Sequence, residues 1–216
     1  MAKASKIFAK VVCLLRKMVY NKTTKHARRV FMSKTNVGKR DVVVAGIGHR
    51  FCQAQNHNEE ILKVFRQIAE RYNVVEVATC CALGADLAIA ECAISLGYPI
   101  CAILPMERQL YLQEILLDAT QNGKTATSDL RRVENVLNRA HRTIVATHPT
   151  HPYLGATQKL VEVADVLVAL WDGVQTPLEQ DGKPINQGGT YHGIFMALNK
   201  GLQLGTSLFV VKVARN

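Results

Sequence analysis

Short apolar segments rich in β-branched residues alternate with longer amphipathic segments from residue 41 to the end of the chain. The segments with strand character are residues 42–47, 74–79, 100–104, 143–146, 166–171 and 207–213. The segments with helical periodicity are residues 58–72, 85–96, 107–117, 128–140, 154–164 and 190–199. Strands separated by helices of this length pair in parallel through right-handed crossovers, with helices on both faces of the sheet. The pattern therefore predicts an α/β fold, a doubly wound, Rossmann-like and mostly parallel sheet.

The charge of the chain is distributed very unevenly. Residues 1–40 contain eight lysines, four arginines and no acidic residue, whereas the remainder has 15 basic and 17 acidic residues. The formal net charge of +10 therefore comes from an amino-terminal arm and not from the folded part. With 216 residues, 48% of them hydrophobic, the chain can bury one full core. We expect a basic arm, residues 1–40, followed by one domain, residues 41–216.

The arm has the periodicity of an amphipathic helix in the segment SKIFAKVVCLLRKMVY, with lysine and arginine between the apolar positions. Such a helix is typical of a mitochondrial-type presequence, of a helix lying on anionic lipid, or of a helix packed on a partner. Its partner would be an acidic protein, an anionic membrane or an RNA-containing assembly. The lysines interrupt any apolar run long enough to span a membrane. We expect a cytoplasmic protein, or a mitochondrial or other organellar one if the arm is a targeting segment.

The cysteines and histidines do not form a recognisable metal site. None of the six cysteines makes a C-x-x-C pair, and four lie in apolar segments, which favours a reducing compartment. The closest histidine pair, His148 and His151, has no cysteine or acidic residue nearby in the sequence. We therefore predict no metal and no required cofactor.

Ligands of a doubly wound sheet bind beyond the carboxyl ends of its strands, so the residues that follow each strand are the candidate site. Glycines, charged residues and the only tryptophan occur there. The predicted ligand-binding residues are Gly46, Gly48, His49, Arg50, Gly84, Ala85, Asp86, Pro105, Arg108, Trp171, Asp172, Gly173, Gly188, Gly189 and Thr190.

Each of these residues also has a structural role available to it. Glycines relieve tight turns, Asp86 and Thr190 are suited to the first turn of a helix, and Trp171 is suited to a core. Their meeting at one edge favours a binding site, because Gly189 and Thr190 at a helix start would offer backbone N–H groups to a phosphate. Arg50 would add a bidentate clamp. Trp171 would either pack beneath the cleft or stack on a base, and residues 174–187 would form a flap. A nucleotide-derived ligand fits this set of groups.

The motifs, taken in order, resemble those of the SLOG superfamily. They are GIGHR, GADLAIAECAISLGYPICAILP, a tyrosine in the next helix, DVLVALWDG and GGT, and the resemblance covers about residues 42–213. The superfamily includes the lonely-guy phosphoribohydrolases, often labelled lysine decarboxylases, the DNA-processing protein A, and nucleotide-sensing domains of bacterial defence systems. The resemblance implies nucleotide binding and a homo-oligomer assembled through helices that flank the sheet.

The chain departs from the enzymes of this group at one position. Their P-G-G-x-G-T-x-x-E signature ends in a glutamate that acts on the ribosyl bond, and alignment on Gly189 and Thr190 puts Gly193 there. Nucleoside deoxyribosyltransferases also depend on a catalytic glutamate, and the same departure argues against that class. The acids left for a glycosidase-type reaction are Asp86, Glu91, Glu107 and Asp172.

Three functions are consistent with the sequence. The first, which we favour, is binding or sensing of a nucleotide or an ADP-ribose-like ligand without catalysis. The second is a nucleotide N-glycosidase with a relocated acid. The third is a non-catalytic subunit of a larger assembly, docked by its basic arm.

Overall fold

The structure of the chain is a computed structural model that describes residues 38–50, 54–121, 126–148, 151–174, 179–180, 183–184 and 189–214. The predicted arm lies outside these ranges except for its last three residues. Its helix and the division of the chain into arm and domain therefore stay predictions.

The described residues contain the alternating strands and helices that the sequence predicts. The strands are β1 (Asp41–Gly48), β2 (Asn73–Thr79), β3 (Ile100–Leu104), β4 (Arg142–Val145), β5 (Val166–Trp171), β6 (Glu179–Gln180), β7 (Lys183–Pro184) and β8 (Leu208–Lys212). The α-helices are α1 (Asn58–Arg71), α2 (Ala85–Ser95), α3 (Arg108–Gln121), α4 (Ala126–Arg139), α5 (Pro152–Val163) and α6 (Thr190–Asn199). A 3₁₀ turn, Ala54–His57, precedes α1, and the ends of the predicted elements lie within four residues of those observed.

Six of the strands form one parallel sheet in the order β4-β3-β2-β1-β5-β8. The chain adds β2, β3 and β4 on one side of β1 and then crosses over to add β5 and β8 on the other side. The connections after β1 and β5 therefore leave in opposite directions. Ligands of open α/β sheets bind at such a switch point, outside the carboxyl ends of the strands.

Helices cover both faces of the sheet, as predicted. Adjacent residues of a strand point to opposite faces, and the close neighbours of Gly46 and Ile47 in β1 show what covers each face. A Cβ at Gly46 would meet Ile89 of α2, whereas the Cδ1 of Ile47 lies against Gly193 of α6. The α/β, Rossmann-like prediction is confirmed.

The core lies on both faces of the central strands. Every residue of β3 and of β5 is buried, as is typical of parallel strands covered on both sides. Phe65, Tyr111 and Leu167 are among the largest fully buried side chains. In the part of the chain described here, no helix is both long enough and apolar enough to cross a membrane.

The segment after β5 contains a short structure that the sequence analysis did not predict. Strands β6 and β7 pair antiparallel, with Glu179 opposite Pro184. The predicted flap comprises residues 174–187. Apart from Val174 and the two short strands, it lies outside the described residues.

Candidate functional site

The turn after β1 and the start of α2 are packed against each other without room for side chains. A Cβ at Gly48 would meet the Cβ of Ala85, and one at Gly84 would lie 2.6 Å from the carbonyl oxygen of His49 and closer still to that of Arg50. The Ala85 N–H donates to the His49 carbonyl at 3.1 Å. Gly84 also has a φ of 81°, which favours glycine. The glycines are therefore needed to bring these two loops together.

His49 contacts both the residue after β5 and the first residue of α6 at the switch point. Its Nε2 lies 3.0 Å from Oδ1 of Asp172, the residue after β5, and its Nδ1 lies 3.4 Å from Oγ1 of Thr190, the first residue of α6. The His49 and Asp172 side chains are only 13% and 7% exposed. Three predicted site residues, from three separate segments, therefore meet in one partly buried cluster, which we call the His49 cluster.

Asp86 lies on the α2 side of this cluster as a buried acid. Its Oδ1 accepts the Gly48 N–H at 3.0 Å, and its carboxyl also accepts from the Ala82 backbone. Burial raises the pKa of Asp86 to about 7, although the Arg50 guanidinium and the two backbone hydrogen bonds act to lower it. Asp86 therefore changes protonation state near neutral pH.

Arg50 is held by an aromatic ring. Its guanidinium carbon lies 4.3 Å from the centre of the Tyr153 ring, a cation–π geometry. Burial is the main cause that raises the pKa of Tyr153 to about 12, and a hydrogen bond with Glu114 adds to it. The ring fixes the Arg50 cation on the Asp86 side of the site.

Trp171 packs beneath the segment that follows β5. The side chain is buried, its ring stacks on Tyr191 with centroids 6.1 Å apart, and its Nε1–H donates to the Val174 carbonyl at 2.9 Å. Asp172 Oδ1 accepts the Val174 N–H at 2.9 Å, and Gly173 has a φ of 88°. This geometry packs Trp171 under the residues that follow β5, and stacking on a base stays a prediction.

The structure describes the residues predicted to bind phosphate at the start of α6 from Gly189 onward. Gly188 lies outside the described residues. Gly189 has a φ of 150° and precedes α6 without a side-chain cap, and Thr190 is buried. The first intrahelical bond here runs from the Gly193 N–H to the Gly189 carbonyl. In α-helices generally, the N–H groups of the first turn are not used by the helix's own hydrogen-bond ladder, and such termini are suited to binding anions.

An open cavity of about 530 Å³ adjoins the Asp172 side of the His49 cluster. It lies at the carboxyl ends of β5 and β8 and offers both an acidic and a basic side chain. The lining residues are Asp172, Val174, Lys212, Val213 and Ala214.

Some predicted site residues are engaged elsewhere. Pro105 is buried at the end of β3, and Arg108 is exposed and hydrogen-bonds to Asn138 of α4. Glu107 is exposed, and Glu91 forms a bidentate ion pair with Arg132 at 2.7 and 2.9 Å. These contacts hold Arg108 and Glu91 on α4, so neither they nor Glu107 is brought into the His49 cluster.

Gly193, the position aligned with the glutamate of the phosphoribohydrolases, faces the interior. A Cβ there would lie 2.5 Å from Cδ1 of Ile47 and 3.5 Å from Cγ2 of Thr157. A carboxylate at this position would enter apolar packing between α6, β1 and α5, where an unpaired charge is very costly.

Sequence reasoning missed three residues around the site. Tyr153 follows β4, a strand whose carboxyl end contributed no predicted site residue. Tyr111, part of the resemblance but not of the predicted site, is fully buried and donates to the Cys80 carbonyl at 2.9 Å. Cys81, just after β2, has a φ of 56°, which is strained for a residue with a Cβ and has no signal in the sequence.

The described residues contain no group of three or more histidine, cysteine or acidic side chains placed to hold a metal ion. His148 and His151 lie with their ring centres 5.7 Å apart, and the His151 backbone N–H donates to His148 Nδ1. This contact gives His148 Nδ1 a structural role at the start of α5.

No protein-family model and no curated protein matches the chain. Among solved structures, the chain is similar to the structural-genomics target TM1055, with 15% identity, a TM-score of 0.36, and 61% of this chain and 60% of that one covered. It is also similar to DNA processing protein A from Streptococcus pneumoniae, with 14% identity, a TM-score of 0.33, and 77% and 59% covered. The chain thus matches about 60% of the length of each of these two proteins.

Both likenesses concern the fold, so the function of this chain is argued from its own residues.

Proposed function

We propose that this protein binds a nucleotide or an ADP-ribose-like ligand at the switch point between β1 and β5. The observation that carries the proposal is the His49 cluster, in which His49, Asp172 and Thr190 meet across the switch point. Partly buried polar side chains that converge at this position of an α/β sheet are typical of a ligand site. No cofactor is required for such binding.

The neighbouring groups divide the recognition of the ligand between them. The amino-terminal turn of α6 receives a phosphate on its backbone N–H groups, with Thr190 as the adjacent hydroxyl. The Arg50 cation, held over Tyr153, adds positive charge to the site from the Asp86 side. Asp172 accepts from ribose hydroxyls, and the open depression beside it gives the rest of the ligand access to the site.

One observation favours the second candidate function, hydrolysis of an N-glycosidic bond. Burial raises the pKa of Asp86 to about 7, so this carboxyl is protonated in about half of the molecules in neutral solution, and that proton can be given to a leaving group. Glu91 and Glu107 are less suitable as catalytic acids because neither belongs to the His49 cluster. Binding without turnover remains our preferred function, since Gly193 leaves the signature position without an acid.

The assembly and the location of the protein are also proposals. We expect a homo-oligomer, and we expect the basic arm to contact an acidic protein, an anionic membrane or an RNA-containing assembly. If the arm is a targeting segment, the protein is organellar; otherwise it is cytoplasmic.

A thermal-shift screen of the full chain against nucleoside monophosphates, NAD and ADP-ribose tests the proposal. A ligand at 100 times its Kd stabilises the folded state by about 2.7 kcal/mol, which moves Tm measurably. The emission of Trp171, the only tryptophan, should change with the same ligand because this side chain lies beneath the cleft.

The double variant Arg50→Ala, Thr190→Ala is expected to fold and to lose this response. Chromatography of each hit after incubation separates the two functions, since released base would identify a glycosidase and intact ligand a binding protein. A chain whose Tm responds to none of these ligands would contradict both.

A further inference from the structure

We propose that His49 is a positioning residue that turns the Thr190 hydroxyl towards or away from the ligand, so that the site takes up one proton together with a bound phosphate. The inference rests on the proposed function and adds the protonation state in which the site accepts an anion. It is carried by the two contacts of the His49 ring, 3.0 Å to Asp172 and 3.4 Å to Thr190.

The partners of the His49 ring fix where its hydrogen lies. An ionised carboxylate only accepts hydrogen bonds, and Asp172 Oδ1 already accepts the Val174 N–H, so Nε2 of His49 carries a hydrogen. In the neutral ring the other nitrogen, Nδ1, then has a lone pair and no hydrogen. The Thr190 hydroxyl must therefore be the donor in its contact with neutral His49.

This direction of donation makes Thr190 unsuitable for phosphate. Its only hydroxyl hydrogen points at His49, so the oxygen presents lone pairs to the ligand. Phosphate oxygens also present lone pairs, and the two repel each other. Neutral His49 thus matches a ligand hydroxyl or amide donor at this point and disfavours an anion.

Protonation of His49 reverses the contact. The protonated ring carries a hydrogen on Nδ1 and donates it to Thr190 Oγ1, which leaves the threonine hydrogen available for a phosphate oxygen. The ring also gains a positive charge, and Asp172 stabilises that charge through Nε2. One proton therefore changes the contact with phosphate from repulsion to a hydrogen bond and adds an attractive charge.

The charged groups around His49 act in opposite directions on this proton. Asp172, just after β5, favours the protonated ring. Asp86 of α2 also favours it when ionised, since its carboxyl accepts the N–H of Gly48, the residue before His49. Arg50, the next residue in the chain, opposes it while resting on Tyr153 of α5. Histidine is the side chain that ordinarily gains a proton between pH 5 and 8.

Sulfate is the direct probe, because its charge is constant between pH 5.5 and 8 whereas that of phosphate changes. Its Kd is measured by calorimetry with the full chain and with His49→Gln and Thr190→Val. His141→Gln, an exposed histidine, and Thr157→Val, a buried helical threonine that donates to the Tyr153 carbonyl, are the matched controls. The basic arm is present in every protein, so its contribution cancels.

We expect sulfate affinity to rise about tenfold between pH 8 and pH 5.5 in the unchanged chain and in both controls, as expected for uptake of one proton. Because Asp86 also titrates near pH 7, His49→Gln and Thr190→Val are compared in the Asp86→Asn background. There His49→Gln should lose this dependence, whereas Thr190→Val should keep only the part that comes from the charge of the ring. Titrations of Asp86→Asn at pH 7, in buffers of different ionisation enthalpy, should report a fraction of a proton taken up, which tests the proposal with His49 and Thr190 unchanged.

Sulfate affinity that does not change with pH in the unchanged chain, or that keeps its pH dependence when His49→Gln is added to Asp86→Asn, would overturn the inference. ADP-ribose or NAD separates this failure from failure of the proposed function. If either still binds, only the coupling to His49 is wrong. If neither binds at any pH, the proposed function is wrong and the inference falls with it.

Discussion

Replacement of Gly84 by alanine is expected to lower the free energy of unfolding by about 3–5 kcal/mol. The new Cβ would overlap the backbone carbonyl oxygens of His49 and Arg50, which cannot move aside without opening the turn after β1. The residue would also have to hold a φ of 81°. Urea unfolding followed by circular dichroism measures the change, with the slope m checked for a change in the unfolded state.

Gly97 provides a matched control at the other end of α2. Its φ is 79°, but a Cβ there would meet nothing within 4 Å. Gly97→Ala should therefore cost only the backbone strain, about 1–2 kcal/mol. Equal losses in the two variants would mean that the turn after β1 is not packed on the start of α2, and the geometry of the site would be wrong.

The second large effect is the pH dependence that Asp86 gives to folding. Its pKa is about 7 in the folded protein and about 3.9 when exposed, so the folded state holds the proton more tightly. The stability that this proton gives is complete below pH 4 and is lost as the pH rises through 7. At 1.36 kcal/mol for each pKa unit, the loss between pH 4 and 8 is about 4 kcal/mol.

Asp86→Asn isolates this effect, because its amide oxygen still accepts the Gly48 N–H but never carries a charge. We expect the variant to match the unchanged chain at about pH 4 and to be several kcal/mol more stable at pH 8. Asp129→Asn, at a partly exposed position beside Arg132, should alter stability by less than about 1 kcal/mol at both pH values. If Asp86→Asn is less stable than the unchanged chain at pH 8, the charged carboxylate stabilises the fold. Burial would then not be the main influence on the pKa of Asp86.

The fold could be predicted because its elements are short and have clear ends. The helix α6 was predicted with both ends correct, since Gly188 and Gly189 precede it and Asn199 ends it. The prediction for α3 stopped at residue 117, four residues early, because the last turn is polar and has no apolar period. The β6 and β7 pair was missed although Asp181 and Gly182, a common hairpin dipeptide, stand between the two strands.

The site could be predicted only as far as the edge on which it lies. Residues after parallel strands share one edge of the sheet, which is why His49, Asp172 and Thr190 were all candidates. Their mutual contact depends on β5 pairing with β1, and strand order is not contained in the periodicity. For the same reason the sequence did not indicate that Arg108 turns to Asn138 or that Arg50 rests on Tyr153.

The claim that the His49 cluster binds the ligand is tested most directly by calorimetric titration of ADP-ribose into three proteins at pH 6. These are the unchanged full chain, Thr190→Val, which keeps the shape of the side chain and removes the hydroxyl, and Thr157→Val as its control. We predict binding by the unchanged chain and the control, and an affinity at least about tenfold weaker for Thr190→Val, since a hydrogen bond to a charged group is worth about 1.5–3 kcal/mol. The same affinity in all three proteins would contradict a ligand site at Thr190.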